Sequence, residues 1–128
     1  MRDTADGLDA AAGEALTRFL DALAARNASA GTIREYRRGA TEFLSFLAGR
    51  RVGWEAPDRT AVHLYLAELA ERNLAASTVA ARLAAIRAFY RHAARQGWID
   101  ADPLAGVRSP RRPRRLPRVL SEEQAERL

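Results

Sequence analysis

Apolar positions recur every three or four residues in four separate stretches of the chain, and turn residues fill the gaps between them. The first stretch predicts a helix over Gly13 to Arg26, with Leu16, Phe19, Leu20 and Leu23 on one stripe. "NASAG" breaks it and offers Ser29 as the next N-cap. The second predicts a helix over Ala30 to Ala48, with Ile33, Tyr36, Ala40, Phe43, Leu44 and Leu47 on one face, ended by Gly49 and "RRVGWEAP". The third runs from the N-cap Asp58 to Arg72, with Val62, Leu66, Leu69 and Ala70 buried and Asn73 closing it. The fourth runs from Ser77 to Gln96, with Ser77 or Thr78 near the cap and Gly97 as the stop; Val79, Leu83, Ile86, Tyr90 and Ala93 line its face. No segment alternates apolar and polar residues long enough to be a strand. The expected fold is all-α, a small four-helix bundle of two helical hairpins joined by short loops. A faint repeat supports it: "GTIREYRRGATEFL" (31–44) aligns with "STVAARLAAIRAFY" (77–90) at an offset of 46 residues, matching Thr32 to Thr78 and Phe43 to Phe89.

The polar positions are also patterned. Arg34, Arg38, Thr41 and Ser45 fall together on a flank of the second helix. On the fourth, Arg87, Arg91 and Arg95 are spaced by four and form a stripe opposite the apolar face, while Arg82 sits at the edge of that face beside Phe89. Beyond Gly97, Asp102-Pro103 marks a turn. Then comes "RSPRRPRRLPR" (108–118), whose Pro110, Pro113 and Pro117 forbid a helix and favour extended backbone. Leu116 and Leu120 offer anchors at its far end, and "SEEQ" (121–124) fits a capping box, so a further helix is expected to open there. The expected organisation is a flexible 1–12, a helical domain over 13–107, a basic linker over 108–120, and the first turns of another domain over 121–128.

Composition narrows the function classes. With 48% hydrophobic residues in 128, a real core can form. Cysteine is absent, which excludes disulfide scaffolds, thiolate metal sites and cysteine nucleophiles and fits a cytosolic protein. No apolar run is long enough to span a membrane, and the acidic N-terminus does not read as a signal peptide. All 21 basic residues are arginine, against 16 acids. Six of the arginines lie in 108–118, which holds no acid. Nucleic acid is the leading partner for such a balance, and an anionic membrane surface the second. No phosphate-binding glycine loop, metal-spaced cluster or nucleophile–base arrangement is present. His63 and His92 read as surface or boundary residues, and Tyr36, Tyr65 and Tyr90 as core. No catalytic residue, metal or cofactor is expected.

Arginines on helices are left to carry chemistry. Arg34, Arg37 and Arg38 have two readings: a solvated face, paired with Glu35 and Glu42 at ~0.3–0.5 kcal/mol each, or a phosphate contact. The fourth helix is less compensated, since no acid lies between Ala75 and Trp98; that favours a phosphate surface. Thr32, Ser77 and Thr78, at helix starts, offer hydroxyls and backbone N–H groups to phosphate oxygens.

Taken in order, these pieces resemble a known family. "ASAGTIREYRRGATEFLSFL", then "LAASTVAARLAAIRAFYRHAARQGWIDADPLAGVRSPRRPRRLPRVLSEEQ", resembles the N-terminal, core-binding part of tyrosine recombinases of the Xer and phage-integrase type. The resemblance implies a SAM-like helical bundle that forms half of a clamp around duplex DNA, with its second and fourth helices toward the major groove. It implies a linker to a catalytic domain that carries the nucleophilic tyrosine, and assembly of recombinase protomers as a tetramer on DNA in the cytoplasm, at the nucleoid, with no membrane partner. Carried over to this chain, it makes Thr32, Arg34, Arg38, Ser77, Thr78, Arg82 and Arg87 the expected DNA contacts, joined by Arg91 and by Arg111, Arg112, Arg114 and Arg115 of the linker. Tyr36, Tyr65 and Tyr90 stand in no matching catalytic context, so the chain is expected to bind DNA without cutting it, as a truncated product. The alternative is a stand-alone, non-enzymatic DNA-binding or regulatory bundle. A third reading is a protein-interaction bundle with an arginine tail.

Overall fold

Helices form where the apolar stripes fall: α1 (Ala10–Ala25), α2 (Ala30–Gly49), α3 (Arg59–Glu71) and α4 (Ala76–Arg95). The structure, a computed structural model, describes Leu8 and residues 10–107, and no strand occurs among them. The linker with Arg111, Arg112, Arg114 and Arg115, and the helix start expected at Ser121, lie outside the described residues.

Each helix buries one stripe into a shared core. α1 contributes Leu16, Phe19, Leu20 and Leu23, and α2 contributes Ala40, Phe43, Leu44 and Leu47. Leu83, Ala85, Ile86, Phe89, Tyr90 and Ala93 come from α4. Full burial of such a side chain contributes ~1.5–3 kcal/mol relative to exposure. The aromatic residues interlock edge to face, with Phe43 at 5.1 Å from Tyr65 and 6.0 Å from Tyr90, and Phe89 at 5.6 Å from Phe19 between ring centroids.

α4 packs more extensively on α2 than on any other helix. The crossing is close because Gly39 has no side chain: a Cβ there would lie 2.6 Å from the Cβ of Ala85 and 3.4 Å from the carbonyl oxygen of Arg82. Ala85 follows Gly39 by 46 residues, the offset of the sequence repeat. The two repeat segments therefore cross at equivalent points. Each helix N-terminus stands nine residues before the crossing, roughly 14 Å along its axis.

The helix ends differ from expectation in three places. α1 starts at Ala10 instead of Gly13, because Leu8 and Ala12 also reach the core. α2 runs through Gly49, and the left-handed residue that ends it is Arg51 (φ 60°), where Val52 N donates to Leu47 O at 2.9 Å. α4 is capped by Ala75 with no side-chain hydrogen bond, so Ser77 and Thr78 lie inside the first turn. Ser29 and Asp58 do cap α2 and α3, accepting from Thr32 N and Ala61 N, and Gly97 (φ 78°) and Asn73 (φ 55°) turn the chain after α4 and α3. On α3 the buried stripe is Ala61, Val62, Tyr65 and Leu69, while Ala70 is exposed. Tyr65 takes the inward place because Phe43 and Phe46 pack on its ring and Glu42 accepts from its hydroxyl.

Two connections close the bundle. Trp54, in the α2–α3 loop, is buried against Phe89, and its carbonyl accepts from the Tyr90 hydroxyl at 2.6 Å. After α4, Ile99 and Leu104 return to the core, and Val107 packs against it as the last described residue.

Candidate nucleic-acid interface

The first turns of α2 and α4 contain no acidic residue, so the partial positive charge of each helix N-terminus is uncompensated locally. At α2, the Ser29 hydroxyl accepts from Thr32 N at 3.0 Å and donates to the Thr32 hydroxyl at 2.9 Å. That fixes an exposed pair of oxygens at the helix start. At α4 no side-chain acceptor covers the first turn; Ser77 is exposed and Thr78 half-buried.

The arginines separate into two groups. Arg34, Arg37 and Arg38 on α2, and Arg91 and Arg95 on α4, are exposed. None of these five forms an ion pair among the described residues. The pairing expected between the α2 arginines and Glu42 does not occur, because the Glu42 carboxylate is taken up by Tyr65, Arg72 and Arg82. The remaining arginines of interest are engaged inside the fold. Arg82 is buried, only 6% exposed, and its Nε donates to Glu42 at 3.2 Å. Arg87 is half-buried, and its guanidinium donates to the carbonyl oxygen of Val107.

Glu42 is a hub that sequence reasoning missed. Its carboxylate also accepts from the Tyr65 hydroxyl at 2.7 Å and from Arg72 at 2.9 Å, so α2, α3, the end of α3 and α4 meet on one side chain. Burial alone would raise its pKa; hydrogen bonds from Tyr65 and Arg72 and the charges of Arg72 and Arg82 outweigh that and hold the carboxyl below its ordinary value. The same burial and hydrogen bond push the Tyr65 hydroxyl far up. The partners lie 23, 30 and 40 residues along the chain, beyond any local spacing rule. By position in the sequence Arg82 sits at the edge of the apolar face of α4; at the α2–α4 crossing it is buried and bonded to Glu42.

The histidines stand apart from this surface. His63 is exposed. His92 lies between the rings of Phe19 and Trp98, and burial, with Arg26 and Arg95 nearby, lowers its pKa. Among the described residues, no group of three or more histidines or acids comes together to hold a metal.

Thus the structure places Thr32, Arg34, Arg38, Ser77 and Arg91 at the surface, and takes Arg82 and Arg87 into internal contacts. Exposed guanidiniums without an ion pair among the described residues, and acid-free helix starts, are suited to phosphate oxygens.

Comparison with known proteins gives a consistent picture. The family model "Phage integrase, N-terminal SAM-like domain" matches residues 16–97. The tyrosine recombinase XerC of Roseiflexus castenholzii is 39% identical over 104 residues, 80% of this chain and 33% of the relative. The tyrosine recombinase XerD of Rhizobium meliloti is 35% identical over 111 residues, 86% of this chain and 36% of the relative. XerD of Bradyrhizobium diazoefficiens is 40% identical over 113 residues, 86% of this chain and 35% of the relative. The chain thus spans about a third of the length of these curated relatives. No solved structure matches it.

Proposed function

Because the chain belongs to the phage integrase N-terminal SAM-like domain family, we propose that it is the DNA-gripping, core-binding part of a site-specific tyrosine recombinase. It holds duplex DNA through α2, α4 and the arginine-rich strap that follows Val107. The observation that carries this reading is the set of exposed arginines on α2 and α4 that form no ion pair among the described residues, on two helices whose starts hold no acid. Thr32, Arg34, Arg38, Ser77, Thr78 and Arg91 are the contacts on the bundle. Arg111, Arg112, Arg114 and Arg115 are those on the strap. Arg82 and Arg87 support the surface from behind. Phosphate contacts of this kind fix register on the duplex but carry no base readout.

In this proposal strand cutting belongs to a separate catalytic domain of the full recombinase, whose protomers assemble as a tetramer on DNA at the nucleoid. No helix among the described residues is long and apolar enough to cross a membrane.

A gel-shift titration against salt tests the reading. Affinity for duplex should fall linearly on a logarithmic plot, with a slope of about −0.9 per phosphate neutralised. Absence of duplex binding at low salt, or binding that is flat as salt rises, would falsify it.

A further inference from the structure

Arg34, Arg38 and Glu42 stand at four-residue spacing on α2, so they share one face of the helix. Arg34 and Arg38 belong to the proposed DNA surface, and Glu42 would interrupt their row with a negative charge. The two oxygens of its carboxylate meet different neighbours. Oε1 accepts from the Tyr65 hydroxyl and from Nε of Arg82, whose side chain is 7% exposed. Oε2 accepts from Nη1 of Arg72 at 2.9 Å, and the Arg72 side chain is 39% exposed. Two guanidiniums thus meet one carboxylate, and a single positive charge is left over. Arg82 is shut inside the fold, so the surplus is presented at Arg72. Nε and Nη2 of Arg72 make no hydrogen bond among the described residues, which leaves one edge of its planar fork open.

Arg72 also stands between two elements. It is the C-cap of α3, Asn73 turns the chain with a φ of 55°, and α4 opens at Ala76 with no acid in its first turn. Four residues separate Arg72 from Ala76, a reach of at most about 14 Å. Glu68 and Glu71 precede Arg72 on α3. Both are exposed and neither forms an ion pair with it among the described residues, so salt screens them.

We propose that Arg72 is a further phosphate-binding residue, which carries the Arg34–Arg38 row past Glu42 toward the start of α4. This rests on the reading of α2 and α4 as the DNA surface. Glu42 holds the guanidinium by one nitrogen, and the open edge donates from Nε and Nη2 to phosphate oxygens. The contact adds to a duplex seated along Arg34 and Arg38 and does not hold one alone.

A double-mutant cycle in the full chain separates a phosphate contact from a mere partner of Glu42. Its axes are Arg72→Gln and Glu42→Gln, read as duplex affinity across a salt series, with circular dichroism to verify folding. Arg72→Gln should lower the magnitude of the salt slope by about 0.9, so that its deficit against the parent shrinks roughly 3.5-fold between about 50 and 200 mM salt. Arg72→Lys keeps the charge and should keep the parent's slope. In the Glu42→Gln background, Arg72→Gln should lower the slope by the same amount, because the phosphate is still there to lose. A residue that acts only through Glu42 has no effect left in that background. If Glu42→Gln is unfolded, the contrast between Arg72→Gln and Arg72→Lys carries the test.

An unchanged slope for Arg72→Gln overturns the inference. So does an effect that vanishes with Glu42, or an Arg72→Lys protein that loses as much slope as Arg72→Gln. Arg34→Gln and Arg38→Gln keep this failure apart from that of the surface as a whole. If they lower the slope and Arg72→Gln does not, the inference alone falls. If the parent shows no salt-dependent duplex binding, the reading of the surface falls first, and the inference with it.

Discussion

Arg82 and Arg91 lie on the same helix, and their environments assign them opposite work. Arg82 is 6% exposed and holds Glu42, whereas Arg91 faces solvent with no acid partner among the described residues. Their substitutions should therefore separate in two measurements. Arg91→Gln should reduce the salt slope of duplex binding by about 0.9, one phosphate's worth, and leave the unfolding midpoint nearly unchanged. Arg82→Gln should leave the slope alone and cost about 1–3 kcal/mol in denaturant unfolding, because the half-buried carboxylate of Glu42 loses a charged donor that is itself buried. A reduced slope for Arg82→Gln would return that residue to the DNA surface. Glu42 adds a pH signature. Its carboxyl is held below the ordinary value of 4.5, so the folded state binds its proton less readily than the unfolded chain does. The stability it supplies is complete above about pH 4.5 and drains away as the pH falls through the lowered native value. Glu42→Gln, which cannot titrate, should flatten the acid limb of the stability curve while lowering its neutral plateau. An acid limb left unchanged by Glu42→Gln would show that other carboxylates set it.

At the level of helices, the α2–α4 crossing is the feature that both shapes the surface and hides Arg82. Gly39→Ala would drive a Cβ to 2.6 Å from that of Ala85, too close for either backbone to stay in place. The expected cost is about 1–3 kcal/mol, the range for overpacking a close-packed core. Because the crossing is symmetric about the repeat, the exchange Gly39→Ala with Ala85→Gly should recover part of that loss, less the ~1 kcal/mol that glycine costs inside a helix. Urea unfolding of the two single variants and the double reads this directly; strictly additive losses would mean that the Cβ collision is not the cause. The crossing also shows where sequence stops being informative. The periods of Leu16, Phe43, Ile86 and Tyr90 and the caps at Ser29 and Asp58 are local, so four helices and most of the core were legible from spacing alone. The exposed arginines of α2 and α4 were legible for the same reason. Glu42 was not, because Tyr65, Arg72 and Arg82 reach it from other helices. Arg87 was misleading in a similar way. Its spacing from Arg91 and Arg95 is that of an outward stripe, while one of its partners is a backbone carbonyl, which no side-chain pattern can reveal.

Over the whole molecule, charge is divided between a folded surface and a strap. The strap segment 108–118 carries six arginines and no acid, whereas 27–107 carries eleven arginines against eight acids. If the helices served only to carry a basic tail, the tail would supply all of the binding. A shared grip is the better-supported arrangement, because the five exposed arginines of α2 and α4 are unpaired among the described residues while Arg82 and Arg72 absorb the carboxylate of Glu42. The Glu42 carboxylate, which could cancel charge on the proposed DNA-facing side, is thus already taken up by Arg72 and Arg82. Replacing the six strap arginines by glutamine should therefore lower the magnitude of the salt slope by up to about 5, at 0.9 per engaged phosphate, and still leave measurable duplex affinity at low salt. Adding Arg34→Gln, Arg38→Gln and Arg91→Gln to that neutral strap should abolish the remainder. These three side chains are exposed and make no internal ion pair among the described residues, so the far-ultraviolet circular dichroism of that protein should match the parent. Residual binding that survives the three bundle substitutions would mean that the bundle's share of the grip does not rest on Arg34, Arg38 and Arg91. Binding lost entirely with the strap alone would assign the whole grip to the tail and reduce the bundle to a carrier.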